Sequence, residues 1–319
     1  MKTRVLGRSG LECSEISLGT WAFNSVVYGP VAAGEAQETV RRALDEGITL
    51  FDTAPLYGTR ERDGIAEQVL GQALGADRER VLISTKFGRR ATQGNHADFN
   101  AANVASSVDE SLIRLGTDHI DVLFFHSPFG PEEVEDDVWE ALRSVREQGK
   151  VRAVGHSISK FDETEGMARQ WARERQIDVI QVVYSLLNRE ATTLIEDLAA
   201  QGVGVIARES LANGFLSGTV TRETVFLEGS LNARYSRQEV RARVEQVERL
   251  SFLVREPVTS LPQAAMRWVL DNAGVSSVLT GARNGGEVAD CAAAADMPGY
   301  SAGELARAQD VHGRDFPAA

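Results

Sequence analysis

Eight short apolar runs punctuate the chain, and the stretches between them carry apolar residues at helical spacing. The runs are Glu15 to Gly19, Ile48 to Phe51, Val81 to Lys86, Ile120 to Phe125, Val151 to Gly155, Val179 to Val182, Val203 to Ala207 and Val275 to Leu279. Each has the length of a buried strand, whereas Val104, Val108, Leu112 and Leu115, or Val134, Val138, Leu142 and Val145, fall on one face of a helix. Gly47, Gly116 and Gly149 lie where such helices should stop, as left-handed caps. Strand and helix in alternation predict parallel pairing. Eight such units over 319 residues predict an α/β fold of the (β/α)8 TIM-barrel type, one domain spanning 1–319.

A hairpin is expected around Arg8, Ser9 and Gly10, ahead of the first run. Two segments break the rhythm: Arg89 to Asn100, and Asn213 to Arg237, which precedes a helical stripe of Val240, Val244, Val247 and Leu250. Long irregular loops at the C-terminal face are where barrels of this kind recognise substrates. Ser301 to Ala319 reads as a short helix and a tail able to fold over the rim.

A formal charge of -12 argues against extended contact with nucleic acid or an anionic membrane, both of which call for a basic footprint. A small-molecule ligand fits better. Cys13 and Cys291 are the only cysteines, too few and too far apart for a disulfide framework or a thiolate metal site, so a reducing cytoplasm is the expected setting. The chain has no sustained apolar leader and no apolar run of about 18 residues, so neither export nor membrane spanning is expected. Five histidines, His96, His119, His126, His156 and His312, show no metal-ligand spacing, and no metal is expected.

The ends of three predicted strands carry reactive side chains. FDTAPLYG supplies Asp52 and Tyr57, VLISTK supplies Lys86, and DVLFFH supplies His126. Following consecutive strands of a parallel barrel, an acid, a phenol, an amine and an imidazole can converge above its C-terminal face.

In these motifs and in their order, the chain resembles the aldo-keto reductases, whose catalytic tetrad of Asp, Tyr, Lys and His matches Asp52, Tyr57, Lys86 and His126. The resemblance continues through LGRSGLECSEISLGTW, SVDESLIRLGTDHIDVLFFH, GKVRAVGHS, QVVYSLLNR and LTGARNGGEV. It implies an NAD(P)-dependent oxidoreductase reducing an aldehyde or ketone to an alcohol, or the reverse on a sugar-like hydroxyl. Tyr57 would give the proton, Lys86 would lower the tyrosine's pKa, Asp52 would position and balance Lys86, and His126 would steer the substrate oxygen. Thr20 and Trp21 would line the site, with Ser157 and Gln181 on the nicotinamide carboxamide. Leu211, Ala212, Gly214 and Ser217 would hold the pyrophosphate, and Gly281, Arg283, Glu287 and Asp290 the adenosine end. No G-x-G-x-x-G fingerprint follows an early strand, so a Rossmann-type cofactor site is not supported.

Several positions depart from the commoner family pattern. Arg208 replaces an aromatic that often stacks on the nicotinamide, Ile158 replaces an Asn, and His156 occupies a place usually apolar. Arg208 has two open uses, stacking on the ring or turning outward to an anionic substrate group. With Arg89, Arg90 and His156 it gives the rim a polar cast suited to a polar or acidic substrate. Glu287 stands where Gln or Arg commonly meets the 2'-phosphate, and Thr219 where Lys is common. Arg283 remains as a phosphate ligand, with Arg222 nearby in sequence to replace that Lys. The balance favours NADPH, with NAD possible through a ribose hydroxyl on Glu287. The rival reading is a cofactor-binding regulatory or redox-sensing protein on the same fold, like the potassium-channel beta subunits. Oligomeric state is left open.

Overall fold

The structure is a computed structural model that describes residues 1–23, 31–175 and 177–316. It opens with an antiparallel hairpin, β1 (Thr3–Val5) and β2 (Glu12–Ser14). Eight strands follow: β3 (Ile16–Gly19), β4 (Leu50–Asp52), β5 (Leu82–Phe87), β6 (Ile120–His126), β7 (Val151–Ser157), β8 (Val179–Val183), β9 (Gly204–Arg208) and β10 (Ser277–Thr280). Each pairs in parallel with its successor, and β10 returns to β3, so the sheet closes into a barrel without a free edge. All eight predicted runs are strands, displaced by no more than two residues at either end. The displacement has a cause at the C-terminal ends: an apolar pattern stops at the last apolar residue, but the strand runs on into polar Asp52, His126, Ser157 and Arg208.

Among the described residues there are ten α-helices: α1 (Ala33–Asp45), α2 (Ile65–Leu74), α3 (Ala101–Leu115), α4 (Val138–Glu147), α5 (Phe161–Glu174), α6 (Thr192–Ala200), α7 (Arg237–Arg249), α8 (Leu261–Leu270), α9 (Gly285–Ala292) and α10 (Ala302–Asp315). Gly47, Gly116 and Gly149 take φ values of +80°, +67° and +74° just past α1, α3 and α4, as left-handed caps require. Val134 lies outside the helix expected to contain it: α4 starts at Val138, and Val134 bridges to Phe99 across the irregular segment after β5. No helix among the described residues is long and apolar enough to cross a membrane.

Alternation along each strand decides what faces the barrel axis. Leu50, Val122, Phe124, Ala153, Val179, Ile206 and Leu279 form an inner core, completed by Leu6, Leu11 and Cys13 of the hairpin region. The hairpin approaches so closely that a Cβ on Gly7 would lie 2.1 Å from the Gly204 nitrogen, so only glycine fits. Phe51, Ile83, Phe125, Val154 and Ile180 belong instead to the larger core shared with the helices.

His156 follows the same rule and corrects its expected place at the rim. Its ring lies against Trp171 of α5, with centroids 4.7 Å apart and the planes tilted by 45°, is fully buried, and neither ring nitrogen has a hydrogen-bond partner in the protein. Burial pushes its pKa down to about 3, against about 6.5 in an unfolded chain. Below about pH 6.5 the unfolded chain therefore binds the extra proton, and stability present above that pH falls as pH drops towards 3, by at most about 1.4 kcal/mol per unit. His156→Leu is expected to melt at a higher temperature than the wild type, with a larger gain at pH 5 than at pH 7.5. Equal gains at both pH values would exclude the titration.

The C-terminal helix α10 pairs Glu304 with Arg255 and has Gln309 accepting from Arg189, and none of its described residues lines the cleft. Residues 317–319 of the expected tail lie outside the described residues.

Candidate active site

The apolar inner layer is topped by a polar one, because residues two positions further along a strand share its face. Asp52 follows Leu50, His126 follows Phe124, Gln181 follows Val179 and Arg208 follows Ile206. Lys86 rises from β5 into the same space, and Tyr57 arrives from the loop after β4, whose turn is closed by Tyr57 N donating to the Ala54 carbonyl at 3.0 Å.

The four tetrad residues are together. Lys86 Nζ donates to Asp52 Oδ2 at 2.6 Å, to the Thr53 carbonyl at 2.8 Å and to the Tyr57 hydroxyl at 3.2 Å. Asp52 Oδ1 accepts from Ser84 Oγ at 2.7 Å and from Gln181 Nε2 at 2.9 Å. The His126 ring meets Tyr57 edge-on, with centroids 5.9 Å apart. Its Nδ1 is buried without a partner in the protein, so the imidazole meets the cleft by its other edge.

Burial decides the charge states here. It raises the Tyr57 pKa and outweighs the opposing pull of Lys86, which corrects the expectation of a tyrosine made more acidic by its neighbour. Burial also works against the Lys86 ammonium, but Asp52 and Tyr57 overcome it and hold that group above its ordinary range. His126 is driven far below its ordinary range by burial, then by Lys86, Arg89 and Arg208. The constellation is thus a neutral phenol against an ammonium, beside a neutral imidazole.

The four residues line a cleft of roughly 520 Å3. Trp21, Ser157, Gln181, Arg208, Leu211, Gly214, Ser217, Gly281, Arg283, Glu287 and Asp290 line it as well. A Cβ on Gly214 or Gly281 would meet nothing within 4 Å, so both glycines border open space, as close backbone approach to an extended dinucleotide requires. The residues fit such a cofactor.

Other expected contacts are differently employed. Thr20 is fully buried and donates to the Asp52 carbonyl at 3.1 Å, and Ala212 is buried within its turn, so neither lines the cleft. Gln181 Oε1 accepts from Ser157 Oγ at 3.4 Å while its amide nitrogen serves Asp52. Asp290 holds the start of α8, accepting from Ser260 Oγ at 2.9 and 2.8 Å and from Gln263 Nε2 at 2.7 Å. Arg208 donates to the Ile158 carbonyl at 2.8 Å and pairs with Glu209. Arg89 and Arg90 do not belong to the rim: both are buried, with Arg89 paired to Glu133 and Arg90 to Glu110. Arg222 pairs with Glu245 and Glu248 on α7 and does not line the cleft, so it does not replace the missing Lys at Thr219.

Sequence reading missed Ser84, Ser127, Glu209, Asn213 and the triplet Val225, Phe226 and Leu227, the last six of which line the cleft. Ser84 was accessible by parity, two residues before Lys86. An apolar triplet inside a polar irregular segment was the signal for 225–227. Among the described residues, no group of three or more His, Cys, Asp or Glu is arranged to hold a metal ion.

Comparison with known proteins agrees with this geometry. The profile of the "Aldo/keto reductase family" matches residues 15–312. The chain is similar to "Aldo-keto reductase YhdN" of Bacillus subtilis, at 31% identity over 301 residues that cover 90% of this chain and 87% of that one. It is similar to the "NADH-specific methylglyoxal reductase" of Escherichia coli, at 29% identity over 307 residues covering 88% and 90%. Among solved structures, the glycerol dehydrogenase AKR11B4 from Gluconobacter oxydans superposes with a TM-score of 0.80 at 26% identity, covering 99% of this chain and 96% of that one.

Proposed function

Since the chain belongs to the aldo/keto reductase family, as an NAD(P)-dependent oxidoreductase interconverting carbonyl and alcohol groups, we propose that Asp52, Tyr57, Lys86 and His126 carry the reaction and that NADPH is the preferred cofactor. The carrying observation is that one ammonium, Lys86 Nζ, touches both Asp52 and Tyr57 at the floor of the cleft. When bound, the reduced nicotinamide supplies the hydride. Tyr57 holds the proton that the carbonyl oxygen takes up, and Lys86 stabilises the phenolate left behind. The neutral His126 orients that oxygen by a hydrogen bond. In alcohol oxidation the roles reverse, with Tyr57 as phenolate base. The intact tetrad disfavours a sensor without turnover.

The substrate is a small carbonyl or alcohol. Relatives named for methylglyoxal and glycerol make short oxygenated compounds the first to try. A panel of aldehydes, ketones and sugars, followed by absorbance of the reduced nicotinamide with NADPH and NADH, tests the reading. Cofactor binding without turnover across the panel would sink it.

Cofactor choice turns on Arg283 and Glu287. Arg283 Nη2 lies 2.8 Å from Glu287 Oε1, and Glu287 Oε2 accepts from the Arg283 backbone N-H at 2.9 Å, so the carboxylate already occupies the guanidinium that a 2'-phosphate would use. Both side chains are partly exposed, and their coupling to a phosphate should be on the order of 1 kcal/mol. Glu287→Gln keeps the acceptor and removes the charge. It is expected to tighten NADPH several-fold with little effect on NADH, whereas Arg283→Ala weakens NADPH selectively. Dissociation constants at two salt concentrations check this, since screening should shrink the effect. Weaker NADH with unchanged NADPH in Glu287→Gln would reassign the carboxylate to a ribose hydroxyl and the enzyme to NAD.

A further inference from the structure

Arg89 lies two residues beyond β5, with only 4% of its surface exposed and no part in the cleft lining. Its guanidinium grips the end of the neighbouring strand. Nε donates to the His126 carbonyl at 3.0 Å and Nη2 to the Ser127 carbonyl at 3.1 Å, while Nη1 reaches the Asn95 carbonyl at 2.8 Å and Nη2 the Glu133 carboxylate at 2.8 Å. Ser127 has a φ of +55°, a left-handed conformation that costs a residue with a Cβ roughly 1–2 kcal/mol. Two consecutive carbonyls of a strained turn thus converge on one planar fork, a geometry that guanidinium matches and ammonium does not.

This turn is where β6 ends and the His126 imidazole enters the cleft. No hydrogen bond from a side chain fixes the ring at Nδ1, which is partnerless, so its position follows from the backbone that carries it. The groups around it are Tyr57 from the loop after β4, Lys86 from β5 with Asp52 behind it, Arg208 from β9, and Arg89 itself.

We propose that Arg89 is a positioning residue for His126, anchoring the strained His126-Ser127 turn so that the imidazole faces the reacting oxygen. The proposal rests on the reading of His126 given above. Its charge adds to Lys86 and Arg208 in keeping the imidazole neutral, after burial.

Arg89→Met, Arg89→Lys and His126→Ala, each in the full chain, provide the test. Arg89→Met is expected to lower kcat for carbonyl reduction between about tenfold and a hundredfold, with the cofactor dissociation constant within about twofold of wild type. In the same variant without cofactor, the His126 titration read by proton NMR moves to higher pH because one cation is gone. Arg89→Lys keeps that titration but loses much of kcat, since an ammonium cannot span both carbonyls. A folded Arg89→Met protein with wild-type kcat overturns the proposal. So does a lower kcat with an unmoved titration and equally weakened cofactor binding, the behaviour of a merely loosened fold. Should Arg89→Met fail to fold, Arg89→Lys decides: lower kcat at unchanged cofactor affinity supports the proposal, and wild-type kcat overturns it. A His126→Ala enzyme with wild-type kcat, alongside a shifted titration in Arg89→Met, overturns instead the reading of His126 and the proposal with it.

Discussion

Tyr57→Phe is expected to lower kcat for carbonyl reduction by about a hundredfold or more while leaving cofactor affinity close to wild type. The substitution removes one oxygen. That oxygen sits 3.2 Å from Lys86 Nζ in a nearly dry site, and is the proton donor nearest the ammonium. The proton is needed only as charge develops on the substrate oxygen, so the loss should fall on kcat. The pH dependence carries a second signature. Burial raises the Tyr57 pKa despite the opposing Lys86, so the phenol stays protonated through and above neutral pH. Reduction should hold its rate across that range, while alcohol oxidation, which needs the phenolate, should rise with pH. Steady-state rates in both directions and a fluorescence titration of the cofactor check all three expectations. Retention of most of kcat by Tyr57→Phe would sink the assignment of the proton donor.

Lys86→Met should be at least as damaging to kcat, and it should also weaken the fold. Lys86 is 1% exposed and its ammonium pairs with Asp52 at 2.6 Å, so truncation leaves a buried carboxylate that has lost its cation and keeps the neutral donors Ser84 and Gln181. Breaking a buried pair by removing one partner typically costs about 3–5 kcal/mol. The activity loss is separable from the stability loss. Lys86→Met/Asp52→Asn removes both charges and should recover much of the melting temperature by circular dichroism without recovering turnover. A Lys86→Met protein that is active, or a double variant that regains activity along with stability, would show that the ammonium serves the fold and not the chemistry.

The barrel and the gathering of Asp52, Tyr57, Lys86 and His126 at its mouth were legible in the sequence because both rest on local patterns. A strand of period two, a helix of period 3.6 and a glycine cap each declare themselves within a few neighbours, and closure follows from repeating the unit eight times. The motifs carrying Asp52, Tyr57, Lys86 and His126 end three successive barrel strands or the loop just after one, so their order along the chain is also their order around the mouth. Partnership and charge state are different in kind. For three of the arginines, whether the guanidinium faces a ligand or a carboxylate depends on which residue, twenty or more positions away, packs within 3 Å of it. Arg89 is held by Glu133, Arg90 by Glu110 and Arg222 by Glu248, and none of those pairs has a spacing that a periodic pattern encodes. His156 and Ser157 are neighbours in sequence, yet one lies against Trp171 outside the barrel and the other lines the cleft. Alternation separates their faces, but only the packed helix makes His156 dry. The direction of the Tyr57 shift was decided in the same way: its cationic neighbour could be named from STK, but the burial that outweighs it exists only once the mouth of the barrel is assembled.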